Sequence, residues 1–206
     1  MPLLFLIWYT VVGVVSLSSR NIPYLIRKLF PDFVNDYNYY RETFSTNRRE
    51  INRLRDENMR LEYLIKGVND IAKDNNLIGI RKTKKEEYAI LYRHKMQRYE
   101  FDVCIDIPFG DKTRNVLNLL ATLDNEKKTI EIDDIQIAEE DTHKGYGTLA
   151  LSYFIEKSKK DGIKKIYGTI SSKDYIDHGE RLVAFYEKFE FNINICGTSG
   201  AVTKYL

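Results

Sequence analysis

Cysteine and histidine are scarce in this chain of 206 residues, which has two of the former and three of the latter. Cys104 and Cys196 are far apart in sequence, and neither belongs to a Cys-x-x-Cys or Cys/His spacing. The sequence therefore predicts no metal site and no disulfide framework. We expect both cysteines to be reduced and mostly buried.

An excess of one charge is also lacking, because 32 lysines and arginines stand against 30 aspartates and glutamates. A net charge of +2 gives no global basic field of the kind that nucleic-acid-binding proteins carry. The sequence therefore predicts no nucleic-acid partner. Long apolar runs are missing too, with one exception at the N-terminus.

The exception is residues 1–20, in which no side chain is charged before Arg20. A membrane-spanning helix needs about 20 mostly apolar residues. Positive charge follows the run, at Arg20, Arg27 and Lys28, and the positive-inside rule keeps such a flank in the cytoplasm. We predict a single-pass transmembrane anchor with the C-terminal domain in the cytoplasm. A cleaved secretory signal, with a secreted protein, and a buried soluble helix are the alternatives.

Residues 21–76 are interpreted as a juxtamembrane segment and a coiled coil, because residues 36–73 carry a heptad pattern. Position a is occupied by Tyr37, Phe44, Ile51, Asn58, Ile65 and Ala72, and position d by Tyr40, Asn47, Leu54, Leu61 and Val68. The narrow apolar stripe favours a parallel homodimer over a single helix packed on its own domain. Gly67 weakens the last turns by about 1 kcal/mol relative to alanine.

Residues 77–206 change from helical to alternating periodicity. Alternation around residues 88–92, 101–107 and 117–121 predicts strands with one buried face. Helical patterns follow at 147–160 and 180–189, and strands at "IKKIYGTI", "FNINI" and "AVTKYL". The order is a strand meander, helix, strand, helix, strand and strand. The sequence therefore predicts a mixed α/β layer with a parallel step across the first helix.

The strand "TIEIDDIQIAEE" changes phase, since Ile130 and Ile132 occupy even positions whereas Ile135 and Ile137 occupy odd ones. A strand has a side-chain period of two and cannot place both pairs on one face. A β-bulge near Asp133 and Asp134 would restore a common face and leave a backbone N–H free for a ligand. The alternative is a central strand buried on both faces.

A glycine turn, "KGYGT", follows that strand and opens a helix. Gly145 and Gly147 lack a Cβ, so the backbone can approach a bulky anion there. The first N–H groups of the helix favour negative charge, and Lys144 and His143 add positive charge. Nearby, Glu139 to Asp141 oppose an anion unless they point to solvent.

Together, "IQIAEEDTHKGYGTLAL" and "ERLVAFYEKFEF" resemble the GNAT superfamily of acyl-CoA-dependent N-acyltransferases, over about residues 86–206. The family pattern is a strand, Arg/Gln-x-x-Gly-x-Gly/Ala and a helix, then a second helix ending in Phe-Tyr-x-x-x-Gly-Phe. Here Thr142 replaces the usual Arg or Gln, Glu190 replaces the last Gly, and Gly179 stands where Asn is frequent.

The resemblance implies a GNAT-like acyltransferase domain, preceded by the transmembrane helix and the coiled-coil helix, that uses acetyl-CoA. It implies cofactor contacts at Ile135, Gln136, Ile137, Ala138, Thr142, His143, Lys144, Gly145, Tyr146, Gly147, Thr148 and Gly179. The resemblance also implies that Tyr186 is the general acid that protonates the CoA sulfur. From the helical pattern alone, Tyr186 would be interpreted as an aromatic residue of the core. The expected activity is transfer of an acetyl group to an unidentified primary amine, and a non-catalytic scaffold is the rival.

Direct attack on the thioester requires a neutral amine, although a lysine-type amine has a pKa of about 10.4. A base must therefore remove a proton, and Asp133, Asp134 and His178 are the candidates. The oxyanion needs a preorganised N–H donor, which the bulge could supply.

Overall fold

The computed structural model of the protein describes residues 28, 30–95 and 101–206. The predicted transmembrane anchor at residues 1–20 lies outside the described residues. Among the residues that are described, no helix is long and apolar enough to cross a membrane.

Three α-helices and eight strands make up the described chain. In order, they are α1 (Pro31–Asp74), β1 (Asn75–Lys82), β2 (Tyr88–His94), β3 (Phe101–Phe109), β4 (Lys112–Asp124), β5 (Thr129–Ile137), a 3-10 turn (Glu139–Asp141), α2 (Tyr146–Lys160), β6 (Lys165–Ile170), α3 (Ser172–Glu187), β7 (Asn192–Cys196) and β8 (Ser199–Tyr205). The meander and the later alternation of helices and strands agree with the sequence prediction.

All eight strands form one sheet in the order β1-β2-β3-β4-β5-β6-β8-β7. Strands β5 and β6 pair in parallel, whereas the other neighbours pair antiparallel. The predicted parallel step across α2 is therefore confirmed. It places the C-terminal end of β5 beside the N-terminal end of α2, where the glycine turn lies.

The chain divides into two compact units, Met1–Asn58 and Met59–Leu206, and α1 runs through the boundary. In the described part of the first unit, α1 exposes large apolar side chains over several turns. They are Phe33, Tyr37, Tyr39, Tyr40, Phe44, Ile51 and Leu54. Most of them occupy the predicted a and d positions, so the structure leaves this stripe in solvent.

The last turns of α1 belong to the second unit and pack on its sheet. Leu64 and Ile71 are buried there with Ile90, Tyr92 and Cys104. Because Leu61 and Val68, two predicted d positions, pack against this cluster, the predicted coiled coil cannot continue unchanged to residue 73. The alternative of a helix packed on its own domain is correct for this part.

Gly67 has a packing role that the sequence did not indicate. A Cβ added there would lie 2.5 Å from Cγ2 of Thr113 on β4. Glycine therefore lets the helix approach the sheet closely, which a larger residue would prevent.

The main core lies on the other face of β2 and β3. Val103 and Ile105 belong to it, whereas Cys104 between them points to α1. Both faces of these two strands are therefore buried, and the prediction of a single buried face is wrong for them. Helix α2 packs on β3 and β4, and α3 packs on β7 and β8.

Three features differ from the predictions. Strand β1 was not predicted, since residues 73–76 marked only the end of a helix. Helix α3 begins at Ser172, not near residue 180, because Ser171 caps it by accepting a hydrogen bond from the Asp174 N–H. Cys196 is exposed at the end of β7, contrary to the expected burial.

Candidate functional site

Strand β5 contains the predicted β-bulge. Leu120 of β4 pairs with Asp134, and Ala121 pairs with Ile132, so Asp133 is the extra residue. The bulge explains how Ile132 and Ile135 both join the main core despite their different phase. The phase break in the sequence thus had a structural cause.

Beyond the bulge, β5 and β6 separate. Their parallel pairing ends at Ile132 and Gly168, although β5 continues its pairing with β4 to Ile137. A Cβ at Gly168 would lie 3.1 Å from the Ile132 carbonyl oxygen, so glycine permits the close approach just before the separation. In the part of the chain that the structure describes, the β6-facing edge of residues 133–137 has no strand partner.

The glycine turn closes the wide end of this gap. His143 and Gly145 have left-handed φ angles of 61° and 95°, and Gly145 is the N-cap of α2 without a side-chain hydrogen bond. A backbone of this kind turns successive N–H groups toward one point. With the dipole of a 15-residue helix behind it, the turn is suited to an anion.

The acidic run before the turn does not oppose an anion as strongly as its sequence suggests. Asp141 is buried and is neutralised by Arg114, whose Nη2 donates to Oδ1 over 2.8 Å, and by Lys144 at 2.9 Å. The hydrogen bond from Arg114 lowers the pKa of Asp141 to about 2, although burial acts in the opposite direction. Glu139 and Glu140 are exposed.

Lys144 is therefore engaged in holding the loop, and it does not line the cavity described below. Tyr146 also anchors the turn, since its hydroxyl donates to Glu87 over 2.7 Å. Burial and this contact raise the pKa of Tyr146. The turn is thus fixed by ion pairs and hydrogen bonds to residues outside the motif.

One cavity of about 570 Å³ connects these features. It contains most of the predicted site residues, namely Asp133, Asp134, Ile135, Gln136, Ile137, Thr142, His143, Gly145, Tyr146, Gly147, Thr148, His178 and Tyr186. Ala138, Lys144 and Gly179 are not among the lining residues. Gly179 instead packs against the Tyr175 ring, and Gly147 makes room for Phe185.

The sequence missed other lining residues, of which four carry charge: Lys84, Asp141, Asp174 and Arg181. Lys84 comes from the β1–β2 turn, and Asp174 and Arg181 come from α3. Lys84 lies close to Gly145, whose added Cβ would be 3.9 Å from the Lys84 side chain. Only the hairpin that β1 forms with β2 brings Lys84 there, and β1 itself was not predicted.

Tyr186 lies at the inner end of the cavity, on α3. It is 8% exposed and packs edge to face on Phe185 and Phe191. Burial, together with the negative charges of Asp134 and Asp174, raises the pKa of Tyr186 to about 12. The phenol therefore keeps its proton at neutral pH.

The three candidate bases have different surroundings. Asp133 accepts a hydrogen bond from Thr122 over 2.8 Å, and Asp134 accepts one from Gln136 over 2.8 Å. His178 lies at a kink in α3, where its φ of −144° is not helical. Among the three candidates, Asp134 is the one whose negative charge raises the pKa of Tyr186.

Comparisons with known proteins give distant likenesses. No family model matches the chain. It is 25% identical over 150 residues to the uncharacterised protein YocC of Bacillus subtilis (strain 168), which covers 72% of this chain and 87% of that protein.

Solved structures that resemble the chain include acetyltransferases. A CoA complex of a Bacillus subtilis acetyltransferase has a TM-score of 0.39 and 18% identity, over 51% of this chain and 77% of that one. A GNAT superfamily phosphinothricin acetyltransferase of Sinorhizobium meliloti has a TM-score of 0.40 and 13% identity, over 51% of this chain and 60% of that one. A domain from Methanocaldococcus jannaschii has a TM-score of 0.43 and 16% identity, over 73% of this chain and 94% of that domain. These likenesses are distant, since each of the three structures is less than 20% identical to the chain.

Proposed function

We propose that the protein is an acetyl-CoA-dependent N-acetyltransferase that transfers the acetyl group directly to a primary amine. The observation that carries this proposal is that an unpaired strand edge, an N–H-rich turn and a buried tyrosine meet in one cavity. A molecule with an amide-containing arm and a pyrophosphate fits these three features together.

In this proposal, the free edge of residues 135–137 pairs with the amides of pantetheine. The N–H groups of residues 143–148 hold the pyrophosphate at the start of α2, and Lys84 and Arg181 add positive charge. Thr142 does not act as an arginine would, because its hydroxyl donates to the Glu139 carbonyl over 2.8 Å. In this proposal, Lys84 and Arg181 supply the positive charge that an arginine at position 142 would supply in the family pattern.

The chemistry requires three further groups. A base takes a proton from the amine so that nitrogen can attack the thioester carbon, and Asp134, directly or through water, is the favoured candidate. A backbone N–H at the bulge stabilises the oxyanion. When the C–S bond breaks, Tyr186 gives its proton to the sulfur, a role for which its protonated state and position are suited.

We also propose a membrane-tethered dimer. Residues 1–20 supply the anchor, and the exposed a and d side chains of α1 up to Leu54 supply a parallel homodimer contact. With positive charge after the anchor, the C-terminal domain lies in the cytoplasm, where acetyl-CoA is made available. Protease added to intact cells should leave this domain uncut, and its digestion from outside would contradict the orientation.

The test of the activity is transfer of radiolabelled acetyl from acetyl-CoA to a panel of amines, with the full-length chain in detergent. We include peptide N-termini, lysine side chains and polyamines. Label in at least one amine, with one free CoA thiol released per label, is the expected result. Acetyl-CoA binding without label in any amine or in the protein itself would favour a binding scaffold.

A further inference from the structure

On the sheet face away from the acetyl-CoA cavity, three residues of different chemistry lie together. The antiparallel register that pairs Tyr92 with Cys104 also brings His94 opposite Asp102. Because residues 102 and 104 alternate along β3, their side chains point to the same face. The imidazole, carboxylate and thiol offer one ligand atom each, and all three atoms lie within 4.8 Å of one another.

From these three side chains, we propose that His94, Asp102 and Cys104 bind a zinc ion. Nitrogen, oxygen and sulfur together match the ligand preference of zinc, which binds each of these atoms in proteins. The fourth tetrahedral position is left for water or another group. The site clamps β2 to β3 close to the C-terminal end of α1.

The distances are near those that tetrahedral zinc requires. Cys104 Sγ lies 3.5 Å from His94 Nδ1 and 3.7 Å from Asp102 Oδ2. Zinc bonds of about 2.3 Å to sulfur and about 2.0–2.1 Å to nitrogen or oxygen place such atoms about 3.6 Å apart. His94 Nδ1 and Asp102 Oδ2 are 2.5 Å apart, so this contact opens by less than about 1 Å on binding.

Burial and charge also fit an ion. The Asp102 side chain is 3% exposed, and Cys104 is fully buried. The other oxygen of this carboxylate, Oδ1, forms an ion pair with Arg93, whose Nε lies 3.7 Å away. A thiolate and a carboxylate balance the charge of Zn²⁺, and the thiol proton is released when the Zn–S bond forms.

Access and position distinguish this site from the cavity. The His94 side chain is 48% exposed and gives a route from solvent. Lys95 Nζ donates to the Lys73 carbonyl over 2.7 Å and so holds the end of α1 beside the cluster. The neighbours of Cys104 on β3, Val103 and Ile105, point into the main core instead.

The test is titration of the untagged full-length chain with Co²⁺ as a spectroscopic substitute, followed by Zn²⁺. A sulfur-to-cobalt charge-transfer band that saturates at one ion per chain and disappears with Zn²⁺ is expected. Cys104→Ala should abolish the band, whereas Cys196→Ala, at the exposed second cysteine, should leave it unchanged. No band in the wild type, or a band lost in Cys196→Ala alone, would overturn the proposal.

A second variant guards against misfolding of Cys104→Ala. His94→Ala removes a half-exposed ring, and we expect a folded protein whose zinc affinity falls by at least about 100-fold, beyond the 10–100-fold that loss of an outer-shell partner costs. Zn²⁺ should raise the thermal midpoint of the wild type and not that of His94→Ala. Equal zinc affinity in the two proteins would mean that the three side chains form only a hydrogen-bonded cluster.

Discussion

The two faces of β2 and β3 are covered by different parts of the chain. On one face, the main core lies under α2 and continues to Tyr186 and the cavity. On the other, the last turns of α1 cover a small apolar cluster that ends in His94, Asp102 and Cys104. The proposed reaction depends on the first face and not on the second, so variants on each face should have separable effects.

The largest effect is expected on the cavity side, for Tyr186→Phe. Loss of the proton donor should lower turnover by about 10²–10⁴-fold while acetyl-CoA affinity and the thermal midpoint stay nearly constant. Steady-state rates and calorimetry on one preparation measure both. Tyr153→Phe, on α2 but outside the cavity lining, is the control. Unchanged turnover in Tyr186→Phe would mean that Tyr186 is not the proton donor and that another group protonates the CoA sulfur.

Leu64→Ala should have the largest effect on the α1 side. Leu64 is 5% exposed, and its truncation should cost about 2–5 kcal/mol of the free energy of unfolding without changing acetyl-CoA affinity. Ile65→Ala is the matched control, since the neighbouring side chain is 60% exposed and should cost less than about 0.5 kcal/mol. Urea unfolding distinguishes them. Equal costs would mean that α1 does not pack on the sheet as described.

A smaller, pH-dependent effect is expected for Asp141→Asn. The pKa of Asp141 is lowered in the folded chain from its ordinary 3.8 to about 2. Its contribution, on the order of 2 kcal/mol, is therefore present above pH 3.8 and is lost as the pH falls toward 2. Urea unfolding should separate variant from wild type at pH 7 and bring them together near pH 2. A constant difference across this range would contradict the ion-pair assignment.

The smallest effect on stability is expected in the exposed part of α1. Ile51→Ser with Leu54→Ser should not alter the unfolding of residues 59–206, because both side chains are about half exposed. Sedimentation equilibrium in detergent should show that the pair of changes shifts a dimer to a monomer. A wild-type chain that is monomeric at micromolar concentration would contradict the proposed dimer.

The periodicity of apolar residues predicted much of this fold, because apolar side chains recur on the face of a strand or helix that is buried. The phase change between Ile132 and Ile135 located the bulge to within one residue, because a buried face must stay continuous. The order of strands and helices followed for the same reason. Periodicity could not say what covers a face. The heptads of α1 have one pattern, yet Phe44 is exposed and Leu61 packs on the sheet.

Long-range contacts account for what the sequence did not predict. Asp141 and Arg114 are 27 residues apart, so nothing in the glycine motif indicated that the acidic run would be neutralised. Lys144 was assigned to an anion from its proximity in sequence, but its charge goes to Asp141. His94 and Cys104 become neighbours only through the register of β2 and β3, which a search for Cys-x-x-Cys spacing cannot detect.

Binding of acetyl-CoA is measured by calorimetric titration of the full chain with this cofactor. We expect one site per chain, with binding that is retained in Leu64→Ala and Tyr186→Phe. We also expect weaker binding for Arg181→Ala, because the Arg181 side chain lines the cavity. No detectable binding by a folded wild-type chain would contradict the acetyltransferase proposal.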